Sequence, residues 1–279
     1  MSIARFGLRT RSGQVSGLIQ GISTTDADAL NFINVAGITD ATQQYAIIAL
    51  VNDLKTYGLW TKMEAIYPFV GGTASTHKWN LKDPRDLDVA FRLSFSGGWT
   101  HSSTGALPNG TTGYADTFYS PSVNSTTSNL SFGFYSRVNS LLAGYTLGGL
   151  TSGDFAGVNL GLKLLDSNTY FSANNYVLDG SGNFITDTRG FFVVNKESTG
   201  TNGVKMFRNG TQIRQANPTQ NLLKNINVVL GARRRDATIE LYNSREHSFT
   251  YLGDTLTSTE ITDLYTVVQA YQTSLARNV

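Results

Sequence analysis

Five short runs in which apolar residues fall on alternate positions or nearly so restrict this chain more than any other feature. The first, "VAFRLSF", alternates cleanly, with Val89, Phe91, Leu93 and Phe95 on one side and Ala90, Arg92 and Ser94 on the other. Similar half-buried runs follow at "NLSFGFYSRV" (129–138), "FAGVNLGLKLL" (155–165), "GFFVVNK" (190–196) and "INVVLGA" (226–232). A period of two is the signature of a strand with one face on a core. Polar, turn-rich segments such as "SSTGALPNGTTG" and "SPSVNSTTSN" separate them. Many short strands at this spacing predict an antiparallel β-sandwich or jelly roll.

Composition agrees. The 279 residues are 40% hydrophobic and 11% aromatic, enough for a sizeable core, while only 15% are charged. Few charges disfavour long solvent-exposed helices, which need them on their wet face. The net charge of +2 leaves the whole chain without a nucleic-acid footprint. Cysteine is absent, so disulfides, thiolate zinc sites and cysteine nucleophiles are excluded. No apolar run reaches the roughly 18 residues of a membrane-spanning helix, so no membrane partner is expected. The opening "MSIARFGLRTRSGQVSGLIQG" has no contiguous apolar stretch of a secretory signal. It carries Arg5, Arg9 and Arg11 before the first acid, Asp26, and reads as a basic arm over 1–25, flexible or docked on a partner. An organellar transit peptide fits that composition too, with nothing downstream to support it.

Residues 26–67 read as a helical subdomain. Thr25 can cap "DADALNFINVAG", with Leu30 and Ile33 on one face and Gly37 as the stop. Thr39 can cap a second helix in which Ile47, Leu50, Val51 and Leu54 keep the 3.6 period up to Gly58. A third turn, "LWTKMEAIY", groups Leu59, Met63 and Ile66 before Pro68. The rest, 68–279, is expected to be the sandwich. It closes on a helix announced by Thr257 and Glu260 in capping-box spacing and by a stripe of Ile261, Leu264, Tyr265, Val268 and Tyr271.

The segment 203–269 orders "GVKMFRNGTQI", whose Asn209-Gly210 suits a type I′ turn, before "NVVLGARR" and "LYNSREHSFTYLGDTLTSTEITDLYTVVQ". That order resembles the end of laminin-G-like, pentraxin-like and other concanavalin-A-like domains. A longer resemblance is carried by "YPFVGGTASTHKWNLKDPRDLDVAFRLSFSGGWTHSSTGALPNGTTGYADTF" and by "YNSREHSFTYLGDTLTSTEITDLYTVVQAYQTSLARNV". Both look like phrases of structural proteins of tailed bacteriophages, including those of Bacteroidetes and their crAss-like relatives. The resemblance implies a non-enzymatic virion protein with a concanavalin-A-like domain: a head fibre, a capsid decoration or a tail-associated protein. Its partners would be capsid or other virion proteins, reached through the N-terminal region, and it would form a homo-oligomer, a trimer being the first expectation for a fibre. The family supplies no catalytic residue, cofactor or metal ligand to carry over.

The residues themselves offer little chemistry. Glycoside hydrolysis needs two carboxylates flanking the scissile bond. Of five glutamates only Glu240 and Glu246 come near each other, without the expected pattern between them. "GLTSG" and "GALPNG" are not nucleophile elbows. His77, His101 and His247 lie far apart in sequence and lack metal spacing. "KDPRDLD" offers Asp83, Asp86 and Asp88 for calcium, yet alternate carboxylates on a strand diverge, and Lys82 and Arg85 neutralise them. Arg233, Arg234 and Arg235, placed in a turn, could meet an acidic capsid surface. If the chain were instead a lectin-like receptor-recognition module for host-surface glycans, Trp99, Tyr114 and Tyr242 are the aromatic candidates, and a polysaccharide depolymerase is a third reading. The dense stretch "YPFVGGTASTHKWNLKDP" (67–84) is expected to be a joint between helices and sheet, with His77 and Trp79 fixing the seam.

Overall fold

The carboxylate of Asp26 accepts from the Asp28 amide at 2.9 Å and starts helix α1 (Ala27–Ala36), which ends at Gly37 in the left-handed region, φ 67°. Asp40, not Thr39, caps α2 (Ala41–Thr56) by accepting from the Gln43 amide. A computed structural model of the chain describes residues 26–125, 130–139, 142, 144–152, 157–162, 169–173, 177–178, 185–197, 203–216 and 225–279. The arm bearing Arg5, Arg9 and Arg11 lies outside them.

The third expected helical turn is a correction. Only Trp60–Lys62 forms a 3₁₀ turn, and Met63–Tyr67 is strand β1. It pairs antiparallel with β17 (Thr250–Gly253), and Asn80 seals its other side. A short apolar run fits either period, and sheet pairing decides it here.

The strands between are β2 (Ser94–Ser96), β3 (Trp99–Ser102), β4 (Gly105–Pro108), β5 (Tyr114–Asp116) and β6 (Leu130–Ser136). Then come β7 (Leu147–Leu150), β8 (Gly157–Gly161), β9 (Tyr170–Ala173), β10 (Val177–Leu178) and β11 (Gly190–Lys196). The last are β12 (Val204–Arg208), β13 (Thr211–Ala216), β14 (Val229–Leu230), β15 (Arg233–Arg235) and β16 (Thr238–Glu240). Two short helices, α3 (Ala74–His77) and α4 (Pro121–Asn124), precede the closing α5 (Ser258–Ser274). One sheet runs β1-β17-β6-β11-β12-β13; the other runs β10-β9-β8-β7-β14-β5-β2, with β15 and β16 joined beside β7. The β3–β4 hairpin stands apart from both.

The two sheets face each other. Phe132, Phe134, Phe192, Val194 and Leu252 of the first meet Leu147, Val158, Leu160, Phe171 and Leu230 of the second in one core. The alternate residues Tyr135, Phe191, Val193 and Tyr251 point the other way, into a second core with α1, α2 and α5. This explains why "GFFVVNK" lacks a polar face: β11 is buried on both sides. The fold is an antiparallel β-sandwich with helices layered on one sheet. Asn209 and Gly210 take φ 50° and 77°, as the type I′ turn between β12 and β13 demands. Thr257 and Glu260 form the reciprocal capping box of α5.

Arg277, just past α5, is buried. It donates to the carbonyls of Pro68, Phe69, Thr104 and Ser248 and to Gln272 Oε1, fastening the helical layer to the sandwich.

A groove at the sheet margin as candidate binding site

The clean alternation of "VAFRLSF" does not produce the expected strand from Val89. Asp88–Ala90 is a 3₁₀ turn, Phe91 has φ 56°, and pairing with β5 begins only at Ser94. Asn80 Nδ2 holds the Ala90 carbonyl at 3.0 Å, Lys78 O accepts from the Leu93 amide, and Arg92 reaches back to Asp88 at 2.7 Å. These bonds fold the segment into a corner and push Val89 outward.

A second left-handed phenylalanine, Phe118 (φ 56°), faces the same space. Its amide donates to Asp116 Oδ1 at 2.8 Å, a tight turn built from the end of β5. Asp116 also accepts from Asn227 Nδ2 at 3.2 Å and from Arg234 at 2.7 Å. Thr117 fixes the turn to the Val228 carbonyl, and Ser120 Oγ donates to Asn225 Oδ1 at 2.9 Å. Left-handed backbone in bulky residues is strained and persists where its surroundings over-determine it, commonly at functional sites.

Together these segments enclose a cavity of about 360 Å³. Val89, Val123, Phe91 and Phe118 supply its apolar surface, and Asp88, Asn124, Asn225 and Asn227 are polar groups along it. Val89 is 75% exposed and Val123 69%, the two most exposed large hydrophobic side chains among the described residues. Asn225 and Asn227 also line an adjoining, more polar hollow of about 400 Å³ with Thr151, Arg234 and Asp236. The two halves make one groove at the margin of the larger sheet.

The hydrogen bonds fix which amide atoms stay available. Asn124 accepts the Ser120 N–H through Oδ1, and Asn225 receives the Ser120 hydroxyl through its Oδ1. Among the described residues their NH₂ groups are therefore unused donors. Asn227 gives an N–H to a carboxylate, which leaves its carbonyl oxygen as an acceptor. Asp88 binds Arg92 through Oδ1 and keeps Oδ2.

The residues singled out from the sequence lie elsewhere or have internal work. Trp99 donates its indole N–H to the Ser96 and Tyr114 carbonyls at 3.1 Å, and its ring packs against Phe95, His101 and His247. Tyr114 is half-buried in β5, and Tyr242 half-buried beyond Leu241. Neither lines the groove. Arg233, Arg234 and Arg235 form a strand, not a turn, pairing with β16 and parallel to β7. Arg233 and Arg235 are ion-paired with Glu240, and Arg234 with Asp116. Of the three, Arg234 alone reaches the groove. Glu246 accepts from Thr104 and pairs with Arg137, so the two nearest glutamates face different basic partners. Asp83 pairs with Arg85, Asp86 with Lys78 and Arg92, and Asp88 with Arg92. Among the described residues no three histidines or carboxylates converge as metal ligands.

The three histidines, far apart in sequence, meet in a single aromatic cluster with Phe69, Phe95, Trp99 and Phe134. His77 Nδ1 lies 3.0 Å from His101 Nδ1. Burial pushes His77 and His247 down to about 3, and lowers His101 as well. The stretch 67–84 is thus a joint: Trp79 packs on the helix-side core and His77 on the hairpin. No sequence signal marks the groove, because Val89 sits in a run that reads as core and Val123 in a polar, turn-rich linker.

Comparison of the sequence with protein-family models and with curated proteins finds no match. Solved structures do match. The sialidase of Trypanosoma rangeli, determined with 2,3-difluorosialic acid, aligns at TM-score 0.50 and 13% identity over 82% of this chain and 39% of its own. Domain 4 of AbnA, a GH43 extracellular arabinanase of Geobacillus stearothermophilus solved with arabinotriose, aligns at 0.45 and 13% over 73% of this chain and 98% of that domain. The binding domain of Paraclostridial Mosquitocidal Protein 1 aligns at 0.48 and 12% over 76% of this chain and 53% of that one. At 13% identity the sialidase likeness speaks for the fold alone, and the β-sandwich itself is read from the two facing sheets of this chain.

Proposed function

We propose that this chain is a non-catalytic glycan-recognition domain and that the groove between Phe91, Phe118 and Asn227 is its binding site. One observation carries the reading: the two most exposed large hydrophobic side chains among the described residues, Val89 and Val123, line the same cavity. Exposed apolar surface gathered in a hollow and edged by polar groups favours a ligand over bare solvent. A sugar is built the same way, with an apolar C–H face and a rim of hydroxyls that both donate and accept. The open NH₂ groups of Asn124 and Asn225, the Asn227 carbonyl and Asp88 Oδ2 match that rim. The volume of about 360 Å³ suits one or two sugar units. Asp116 spends its oxygens on Arg234, Asn227 and the Phe118 amide, which makes it a positioning group for the groove in this reading.

Glycan-array binding by the full chain tests this. Val89→Asp and Val123→Asp should each abolish the signal while leaving the thermal melt unchanged, since both side chains are exposed. Binding that survives both substitutions would put the site elsewhere.

A second reading concerns setting. The resemblance of 67–118 and 242–279 to tailed-phage structural proteins favours display on a virion, through the basic arm and as a homo-oligomer. Deleting residues 1–24 should then abolish incorporation while leaving a folded sandwich. Normal assembly of the truncated protein would sink this reading and leave the glycan site untouched.

A further inference from the structure

The groove's inventory goes beyond what a plain hexose would use. Its aliphatic part is two exposed branched side chains, Val89 and Val123, lining the same cavity as the two phenylalanines. A pyranose C–H face stacks well on an aromatic plane, whereas a pair of valines offers a methyl-sized apolar niche. The polar atoms left over beside it are of both kinds. Asn124 and Asn225 present N–H donors, and Asp88 and Asn227 present acceptors. An acetamido group, a methyl on a carbonyl that accepts and is joined to an N–H that donates, matches this set.

Resting on the glycan reading, we infer that the groove selects sugars bearing an acetamido group, the N-acetylhexosamine class. The methyl lies against Val89 and Val123, the carbonyl takes an amide N–H from Asn124 or Asn225, and the acetamido N–H goes to Asp88 or Asn227. Among the described residues no cationic side chain lines this half of the groove, and Lys82 and Lys78 of the preceding joint are committed to the Trp60 carbonyl and to Asp86. Arg92 is likewise paired with Asp86 and Asp88. Neutral acetamido sugars therefore fit better than carboxylated or sulfated ones.

The test uses the full chain with methyl β-N-acetylglucosaminide and methyl β-N-acetylgalactosaminide beside the parent methyl β-glucoside and β-galactoside. Calorimetry gives affinities, and saturation-transfer NMR maps which ligand protons touch the protein. The acetamido sugars should bind on the order of tenfold tighter, since a buried methyl and one hydrogen bond are added. Saturation should be strongest on the acetyl methyl, and Val89→Ser with Val123→Ser should erase the preference. Equal binding of the parent hexosides, while both substitutions weaken them, would overturn the acetamido inference and leave the glycan site standing. Acetamido binding indifferent to the two valines would overturn the inference by moving the site. No binding of any of the four sugars, together with a blank glycan array, would remove both readings at once.

Discussion

His77 and His101 share one proton between facing Nδ1 atoms 3.0 Å apart. His77 Nε2 accepts from the Gly72 amide at 3.2 Å, so the proton of His77 sits on Nδ1, and His101 must accept through a bare Nδ1. The contact ties the Gly71-Gly72 turn and α3 to the β3–β4 hairpin. It holds only while His101 is neutral, because protonation would set two N–H groups against each other.

Acid should therefore loosen this protein well above the range where carboxylates titrate. Burial, helped by the neighbouring His101 and Arg277 for His77 and by Arg245 for His247, puts both at about 3, against about 6.5 when unfolded. Below pH 6.5 the unfolded chain takes up protons that the folded chain refuses, so stability is full above that value and falls down to about pH 3. For two histidines the slope approaches ~3 kcal/mol per pH unit. Urea midpoints measured at pH 7, 6 and 5 should fall steadily. His247→Phe, which removes the Nε2 that finds no partner among the described residues, should flatten the slope by roughly half. A midpoint constant from pH 7 to 5 would contradict the neutral cluster.

Asn80 closes the free side of β1. Its Oδ1 accepts the amides of Ile66 and Lys82, and its Nδ2 donates to the carbonyls of Glu64 and Ala90. Asn80→Ala would strand at least two buried backbone groups and should cost about 2–4 kcal/mol. Hydrogen exchange at the Ile66 amide reports it directly, and protection unchanged in the variant would refute the role. Asn80→Asp should be no rescue, since it keeps the acceptor but loses both donors.

Local signals in the sequence proved legible and long-range ones did not. The Asn209-Gly210 turn, the Thr257–Glu260 capping box and the 190–196 strand are each specified by residues within a few positions, and the structure forms all three. The corner at Val89 is decided by Asn80, nine residues away, which captures a carbonyl that a continuous strand would have paired. Likewise the helix-like spacing of Leu59, Met63 and Ile66 yields to pairing with β17, about 190 residues later. The histidine cluster exists only because the topology brings the His247 segment against β4, where Ala106 and His247 exchange backbone bonds. Nothing in the spacing of three isolated histidines carries that information. The groove shares the same fate: its valines, asparagines and Asp116 come from three separated segments.

Arg277 should be among the costliest single losses. Arg277→Ala removes a buried guanidinium and leaves the carbonyls of Pro68, Phe69, Thr104 and Ser248 without it, at about 3–5 kcal/mol. Lysine cannot reproduce the fork and should recover only a part. Denaturant titration of the alanine and lysine variants measures both. Equal stability of the lysine variant and the parent would show that charge alone matters there.

Asp116 separates the groove's shape from its chemistry. It binds Phe118 N–H, Asn227 Nδ2 and Arg234, so it sets the positions of an aromatic wall and of a rim amide without lining the Val89 cavity itself. Asp116→Ala should destabilise the fold by about 1–3 kcal/mol through the unpaired Arg234 and the freed Phe118 amide. It should also weaken sugar binding by about tenfold, because Phe118 would relax from φ 56° once the turn is released. Asp116→Asn keeps an acceptor for the Phe118 amide and should retain most affinity while losing the ion pair. Calorimetry with the bound sugar and thermal melts on the same samples distinguish the two effects. A melt that falls with affinity unchanged would reduce Asp116 to a structural turn residue. A loss of affinity in the alanine variant, restored by asparagine, would fix its role as the group that holds Phe118 in place for the ligand.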